Sequence, residues 1–275
     1  MKYNSASSLF HYTNCMGALE SILQEGLFPN YCAETFSYNG KNETVGIPMV
    51  SFCDIPLMRI GGFSDRYGKY AIGLSKKWGL KNRINSVFYV ANEDVVAGLW
   101  FLRNYQRMLE DRLSKSGSDG HSITITLNEG PLPELVDFIN HANAKSAATV
   151  FYALIKKYES EHMGKAQINY IESEWRYVVS DGDGGINWLW GQDNYSAWRG
   201  NGTKPEPTKT LKDKRLRFSA SDINHIIVEN EADRDLIIGW IDSMKSIGGG
   251  NTFTDNDKKM LISKINSVEQ IDLDY

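Results

Sequence analysis

The sequence predicts an α+β fold in which a strand-rich first third and a mixed final part flank a helical insertion. Three observations carry this. Short apolar runs bounded by Gly, Pro and Asn, such as Ile47–Phe52 and Tyr70–Ser75, dominate before residue 92. A helical repeat of apolar residues then runs through Val95, Val96, Leu99, Leu102, Tyr105 and Leu109 and returns at Val150, Phe151, Leu154, Ile155 and Tyr158. Strand-like alternation resumes at Asn169–Val179. The 275 residues suit a single domain over 1–245 with a helical insertion at about 92–165, followed by a C-terminal hinge and helix over 246–275.

Taken in order, Leu9–Tyr12 reads as a strand and Met16–Gln24 as a short helix. Asn14 is its expected N-cap, Leu19, Ile22 and Leu23 form its apolar face, and Gly26 is its stop. Asn30–Val45 is polar and reads as a long loop over a cleft. Ile47–Phe52 is a buried strand, Gly61–Ser64 a flexible connection, Tyr70–Ser75 a second buried strand and Lys76–Gly79 a helical turn. Val87–Val90 closes the strand-rich part. Helices are expected at Asn92–Leu113, Pro133–Asn143 and Ala147–Glu161. After Asn169–Val179 come a turn at Asp181–Gly185, strands at Leu216–Phe218 and His225–Val228, and an amphipathic helix at Glu231–Ser246. Gly248–Gly250 reads as a hinge before a last helix, about Asp255–Ile265.

Composition excludes several classes. Apolar residues at 41% and charged residues at 23% are ordinary for a water-soluble domain. The net charge of −4 gives no global basic field, so any nucleic-acid contact needs a local patch. No apolar run reaches membrane-spanning length and no secretory leader precedes Leu9, so a cytoplasmic protein is expected. Cys15, Cys32 and Cys53 lack paired spacing and read as reduced thiols. The five histidines have no metal-ligand spacing, so no metal is expected. Phosphate-loop, dinucleotide-fold and zinc-protease motifs are absent.

The chemistry concentrates in a few places. On an extended strand, Glu172, Glu174 and Arg176 share one face, with about 7 Å between successive Cα atoms. Two carboxylates that close raise one pKa unless a cation intervenes, and Arg176 is that cation. The group is either a solvated strand face or a site in which Glu174 stabilises positive charge developing on a sugar. His11 and Thr13, at a strand end, offer an imidazole and a hydroxyl to a ribose, or they are satisfied strand-end residues. Tyr12, between them, points to the opposite face and reads as core. Ser51 and Phe52 end the next strand and would orient and stack a ligand, or simply fill a buried strand end. Tyr67 and Tyr70 are candidates to stack on a flat ring. Arg59 and Arg66 are candidates to clamp a pyrophosphate.

The stretches LFHYTN, ILQEGLFPNY, IPMVSFCDIPL, YGKYAIGLSKKWG, ESEWRYV and FSASDINHIIVEN resemble recurrent blocks of the AbiGi-type abortive phage-resistance proteins, across roughly residues 9–245. That family was named for an antitoxin. The His11-Tyr12-Thr13 strand, the helix running to Gly26-Leu27, the strand ending Ser51-Phe52 and Glu174-Trp175 also resemble ADP-ribosyltransferases, especially their DarT-like and RNA phosphotransferase-like branches. This second resemblance implies an ADP-ribosyltransferase-like split mixed β core and NAD as substrate. It makes His11 a cofactor-binding residue, with Thr13, Ser51, Phe52, Tyr67, Tyr70 and Arg59 around it. Glu174 becomes the catalytic carboxylate, with Glu172 as the upstream member of a paired-glutamate motif and Arg66 or Arg59 as the assisting arginine. The implied partners are a nucleic-acid acceptor, RNA or DNA, and a cognate antitoxin or regulatory protein. Two alternatives stand beside this: a non-enzymatic antitoxin on a degenerate transferase fold, and a metal-dependent nuclease, which needs a further acidic or histidine ligand near Glu172 and Glu174.

Overall fold

The computed structural model describes residues 6–98, 151–162, 165–200 and 209–274, apart from 39 and 93, with a few positions between 101 and 108. Among the described residues there are fifteen strands, and nine of them form one sheet. In chain order they are β1 Ser8–Thr13, β2 Asn30–Tyr38, β3 Lys41–Cys53, β4 Tyr70–Ser75, β5 Asn85–Ser86, β6 Phe88–Val90, β7 Ile155–Lys157, β8 Glu159–His162, β9 Lys165–Ile168, β10 Glu174–Val178, β11 Leu189–Trp190, β12 Ile223–Val228, β13 Ser246–Ile247, β14 Asn251–Thr252 and β15 Ile265–Ser267. The helices are α1 Met16–Glu25, α2 Gly61–Tyr67, α3 Lys76–Lys81, α4 Gln192–Arg199, α5 Lys209–Asp213, α6 Glu231–Ser243, α7 Asp255–Ile262 and α8 Val268–Asp274.

The main sheet runs β15-β12-β4-β1-β3-β10-β5, with β2 and β11 also paired to β3. Its pairs are antiparallel except β12–β15. β1 and β4 pair along their full length, from Ser8↔Ser75 to Thr13↔Tyr70. β3 and β10 pair from Cys53↔Glu174 to Met49↔Val178. Between these halves β1 and β3 meet at the single pair Phe10↔Cys53 and then part. The described residues therefore form a mixed α+β fold whose sheet is divided in the middle.

Burial follows the sheet's two faces. Val45–Val50 of β3 is buried without interruption, because both faces of this strand are covered. One face carries Leu9, Phe52, Ile72 and Ile226, packed with Leu19 of α1, Trp78 of α3 and Ile237 of α6. The other carries Phe10, Cys53 and Ile227, packed with Ile55, Phe63 of α2 and Ile271 of α8. α1 spends Leu19 and Leu23 on the first core and stops at Gly26, whose φ of 89° and 2.6 Å approach of an added Cβ to the Leu216 carbonyl leave room for no side chain.

Several expectations are corrected. The segment read as a loop over 30–45 is the β2–β3 hairpin. The connection at Gly61–Ser64 is helical, as the start of α2. Asn14 does not cap α1; Cys15 occupies that position without a side-chain bond. The helix expected over 147–161 reaches Leu154 and then becomes β7, which pairs in parallel with β6, followed by the β8–β9 hairpin. Residues 94–98 are helical as expected, while the helix placed at Pro133–Asn143 lies outside the described residues. Gly248 is no hinge: its N–H donates to the Leu23 carbonyl and its own carbonyl accepts from Phe218. β15 then adds the outermost strand beside β12, so residues beyond 246 complete the sheet rather than follow it.

Candidate active site

Where β10 begins, the chain departs from the extended strand expected over 169–179. Asn169–Glu172 is a short 3-10 helix, and Ser173 takes a left-handed conformation, φ 45° and ψ 54°. Only from Glu174 does the strand run. The kink still brings both glutamates to one place. Lys156 Nζ of β7 donates to Glu172 Oε2 and to Glu174 Oε2, each at 2.7 Å. Arg176 donates from Nε to Glu174 Oε1 at 2.7 Å and from Nη2 to Glu34 Oε1 at 2.7 Å, and its Nη1 reaches the Ala153 carbonyl at 2.7 Å. Arg66 of α2 lies 2.7 Å from Glu172 Oε1. Glu34, Glu172 and Glu174 are thus matched by Arg66, Lys156 and Arg176 in one charge-balanced network. Its centre is nearly dry: Glu172 is 2% exposed, Glu174 5% and Arg176 1%.

Electrostatics follow from burial and pairing. Burial works against the Glu174 charge, but Arg176 and Lys156 outweigh it and hold the carboxyl down to about 2. Burial also works against the Lys156 charge, and Glu174 and Glu172 more than restore it, so its pKa is raised. Glu34 is raised, because burial outweighs its bond from Arg176. Around the network, burial pushes the Cys53 thiol and the Tyr89 phenol up to about 12. Tyr89 accepts the Glu174 backbone N–H at 2.8 Å and so fixes the strand's first residue.

The register sorts the candidate residues by face. Phe10↔Cys53↔Glu174 is one line across three strands, so Phe10, Tyr12, Ser51, Cys53, Glu174 and Arg176 share a face. Arg66 and Tyr67 reach this face from α2. The Arg66 guanidinium lies 4.8 Å from the Tyr67 ring, and both stand beside Glu172. His11, Thr13, Phe52 and Tyr70 share the other face, with Leu9 and Ile72. The expectation that Tyr12 is core while His11 joins the glutamates is therefore reversed: Tyr12 is on the glutamate face, its buried hydroxyl without a hydrogen-bond partner among the described residues. The reason is the single Phe10↔Cys53 pair, which sets the phase of β1 against β3.

The predicted ligand set divides accordingly. His11 Nδ1 donates to the Ser51 carbonyl at 2.9 Å, spanning the gap left where β1 and β3 part, and burial lowers its pKa. Phe52 is core, edge-on to Trp78 at 5.9 Å. The Tyr70 hydroxyl donates to Asp233 of α6 at 2.8 Å. Thr13 ends β1 opposite Tyr70. The Ser51 hydroxyl contacts the Met49 sulfur at 3.6 Å. Arg59 is exposed and lies 5.6 Å from the Phe63 ring, apart from the network. Reading the sequence identified Glu172, Glu174, Arg176 and Arg66. It missed Glu34, hidden in a segment read as loop, and Lys156, hidden in one read as helix. Among the described residues no group of three His, Cys, Asp or Glu side chains is arranged to hold a metal, and no helix is long and apolar enough to cross a membrane. Asp181 and Asp183, downstream, are engaged with Trp188, Trp190 and Lys214.

The family described as "Putative abortive phage resistance protein AbiGi, antitoxin" matches residues 25–229, a span that contains the whole network. The abortive phage resistance protein AbiGi of Lactococcus lactis subsp. cremoris is 27% identical over 238 residues, covering 83% of this chain and 89% of that protein. No solved structure matches.

Proposed function

The chain belongs to the AbiGi family of abortive phage-resistance proteins, and from that premise we propose that it acts in phage defence by cleaving NAD and transferring ADP-ribose to a macromolecule, nucleic acid first. The observation that carries this reading is a buried carboxylate, Glu174, held in its charged form by Arg176 and Lys156, as the first residue of β10 and directly beside the point where the sheet divides. Cleavage of the nicotinamide–ribose bond builds positive charge on the sugar, and a fixed negative charge in a dry site stabilises it. On the same face Arg66 is the cation for a pyrophosphate, with Tyr67 beside it as the flat surface. His11 and Tyr70 keep structural roles in this account, because the register places them on the opposite face.

The fit to NAD is conditional on two cations: Arg66, paired with Glu172 at 2.7 Å, must turn to the pyrophosphate, and Lys156 must clear Glu174. Both Glu174 oxygens are occupied, Oε1 by Arg176 and Oε2 by Lys156 and Arg176. Arg176 is fully buried, but Lys156 is 19% exposed and arrives on β7, from outside the β3–β10 pair. Lys156 must leave Glu174 before a ribose hydroxyl can take its place, so in this reading its departure limits the rate of nicotinamide release.

A second reading, a non-enzymatic antitoxin, is favoured by the same saturation of Glu174 and by the last word of the matched family's description. In it the network is structural and the protein acts by binding. Two measurements separate them: nicotinamide release from NAD by the purified protein, and growth of bacteria expressing the chain alone. The transferase reading expects release and growth arrest, both lost in Glu174→Gln. Silence in both, with protection when a toxic partner is co-expressed, establishes the antitoxin.

A further inference from the structure

Charge is unevenly spread over this chain. Residues 76–83, Lys-Lys-Trp-Gly-Leu-Lys-Asn-Arg, carry four cations and no acid, and residues 209–217, Lys-Thr-Leu-Lys-Asp-Lys-Arg-Leu-Arg, carry five cations and one acid, in a chain whose net charge is −4. More than 120 residues separate the two segments, yet the fold joins them. The Trp78 indole donates to the Arg217 carbonyl at 2.9 Å, and its ring meets Phe218 edge-on at 6.5 Å. α3 therefore lies against the chain that follows α5, and the two basic runs form one surface.

That surface borders a cavity of about 350 Å³ with Arg83 and Asn85 on one wall and Tyr177, Ser180 and Asp183 on the other. Lys214 pairs with Asp183 at 2.8 Å, which puts a cation from each basic run at the cavity. β5 covers β10 only at Trp175 and Arg176, so from Tyr177 onward this edge of β10 faces the cavity, with a partly exposed aromatic ring beside the cations. Lys77, Lys81 and Arg83 are exposed, and none has a carboxylate partner among the described residues. Three unneutralised exposed cations on one short stretch, with Arg83 lining the cavity alongside Tyr177 and Lys214 reaching it through Asp183, match a backbone of closely spaced phosphates rather than a single anion.

We propose that α3, Arg83 and the Lys212–Arg217 segment form a nucleic-acid contact surface, reading phosphates rather than sequence. It names the acceptor class for the transferase site and to that extent rests on that reading, but binding needs no catalysis and is tested without it. The probe is a fluorescent 20-nucleotide strand, as RNA, DNA and duplex DNA, titrated with full-length protein carrying Glu174→Gln, with heparin as a polyanion of different chemistry. Binding is expected to be salt-dependent. Four phosphate contacts on a single strand weaken affinity about 50-fold between 50 and 200 mM salt. Lys77→Gln with Lys81→Gln and Arg83→Gln should lower affinity at least about tenfold, whereas Lys41→Gln with Lys258→Gln and Lys259→Gln, charge-matched and elsewhere, should not. No binding at 50 mM salt, equal loss in both triple variants, or tight heparin binding without nucleic-acid binding each overturns the proposal. Nucleic-acid binding without NAD cleavage leaves this surface standing and removes the transferase reading alone.

Discussion

At the scale of single residues, the account turns on how three acids and three bases share one dry space. Glu174 is held at about 2, below its ordinary value of 4.5. A carboxyl depressed on folding stabilises the protein above its unfolded pKa and loses that contribution as pH falls through the folded value. Here that contribution is about 3 kcal/mol, lost between about pH 4.5 and 2. Glu34, raised by burial, works in the opposite sense: it favours the fold when protonated and loses that effect as pH rises. Urea midpoints measured from pH 6 down to pH 3 should therefore fall for the wild type and stay flatter for Glu174→Gln; parallel curves contradict the pairing. Lys156→Met removes the cation between Glu172 and Glu174. It should cost about 3 kcal/mol of stability, since a buried charge loses its partner. In the transferase reading it should also raise nicotinamide release per folded molecule, because the carboxylate is uncovered. Unchanged release on a folded Lys156→Met protein removes the argument that Lys156 limits the site. Glu174 and Arg176 were visible in the sequence because period-2 spacing puts them on one face of β10, whereas Glu172 reaches them through the kink at Ser173, which spacing does not foretell. Lys156 was not visible, because Leu154, Ile155 and Tyr158 also fit a helical repeat and only pairing with β6 makes that stretch extended.

At the scale of elements, the strands with continuous apolar runs were legible and the polar ones were not. β4 occupies the expected Tyr70–Ser75, because four of its six residues are buried and nothing polar interrupts them. β2 spans Asn, Glu, Thr and Ser, and of its described side chains only Tyr31 and Phe36 are buried, so it looks like loop until β3 pairs with it. The kink before β10 is a second case. Ser173 sits in a left-handed conformation that a side chain adopts at a cost of about 1–2 kcal/mol. Ser173→Gly should leave stability unchanged or raise it by up to about 1 kcal/mol, and Ser173→Val should lower it by at least that much. A loss on Ser173→Gly, measured by urea unfolding, would show that the kink is held by the serine and not tolerated despite it.

At the scale of the whole molecule, sheet order was beyond local reading, because pairing is decided by cores far apart in sequence. The division between β1 and β3 and the placement of β15 beside β12 both come from that level. Gly248–Gly250, read as a hinge, is packed: an added Cβ at Gly248 would lie 1.9 Å from the Phe218 carbonyl. Gly248→Ala should therefore cost at least about 2 kcal/mol. A chain ended at residue 245 loses β15 and α8, with buried Ile265, Val268 and Ile271. It should fail to give the cooperative thermal transition of the full chain; a truncated chain that melts at the same temperature contradicts the single-sheet architecture.

The same sheet places Glu174 beside the division, and the proposed activity depends on that placement. Its most direct test is transfer of label from NAD, labelled on the adenine-proximal phosphate, to RNA, DNA or protein, with wild type and Glu174→Gln side by side at matched folding. The account predicts label on nucleic acid with stoichiometric nicotinamide release, abolished by Glu174→Gln. No label on any acceptor and no release, from a wild-type protein with intact thermal unfolding, would contradict it and leave the network a structural device of a binding protein.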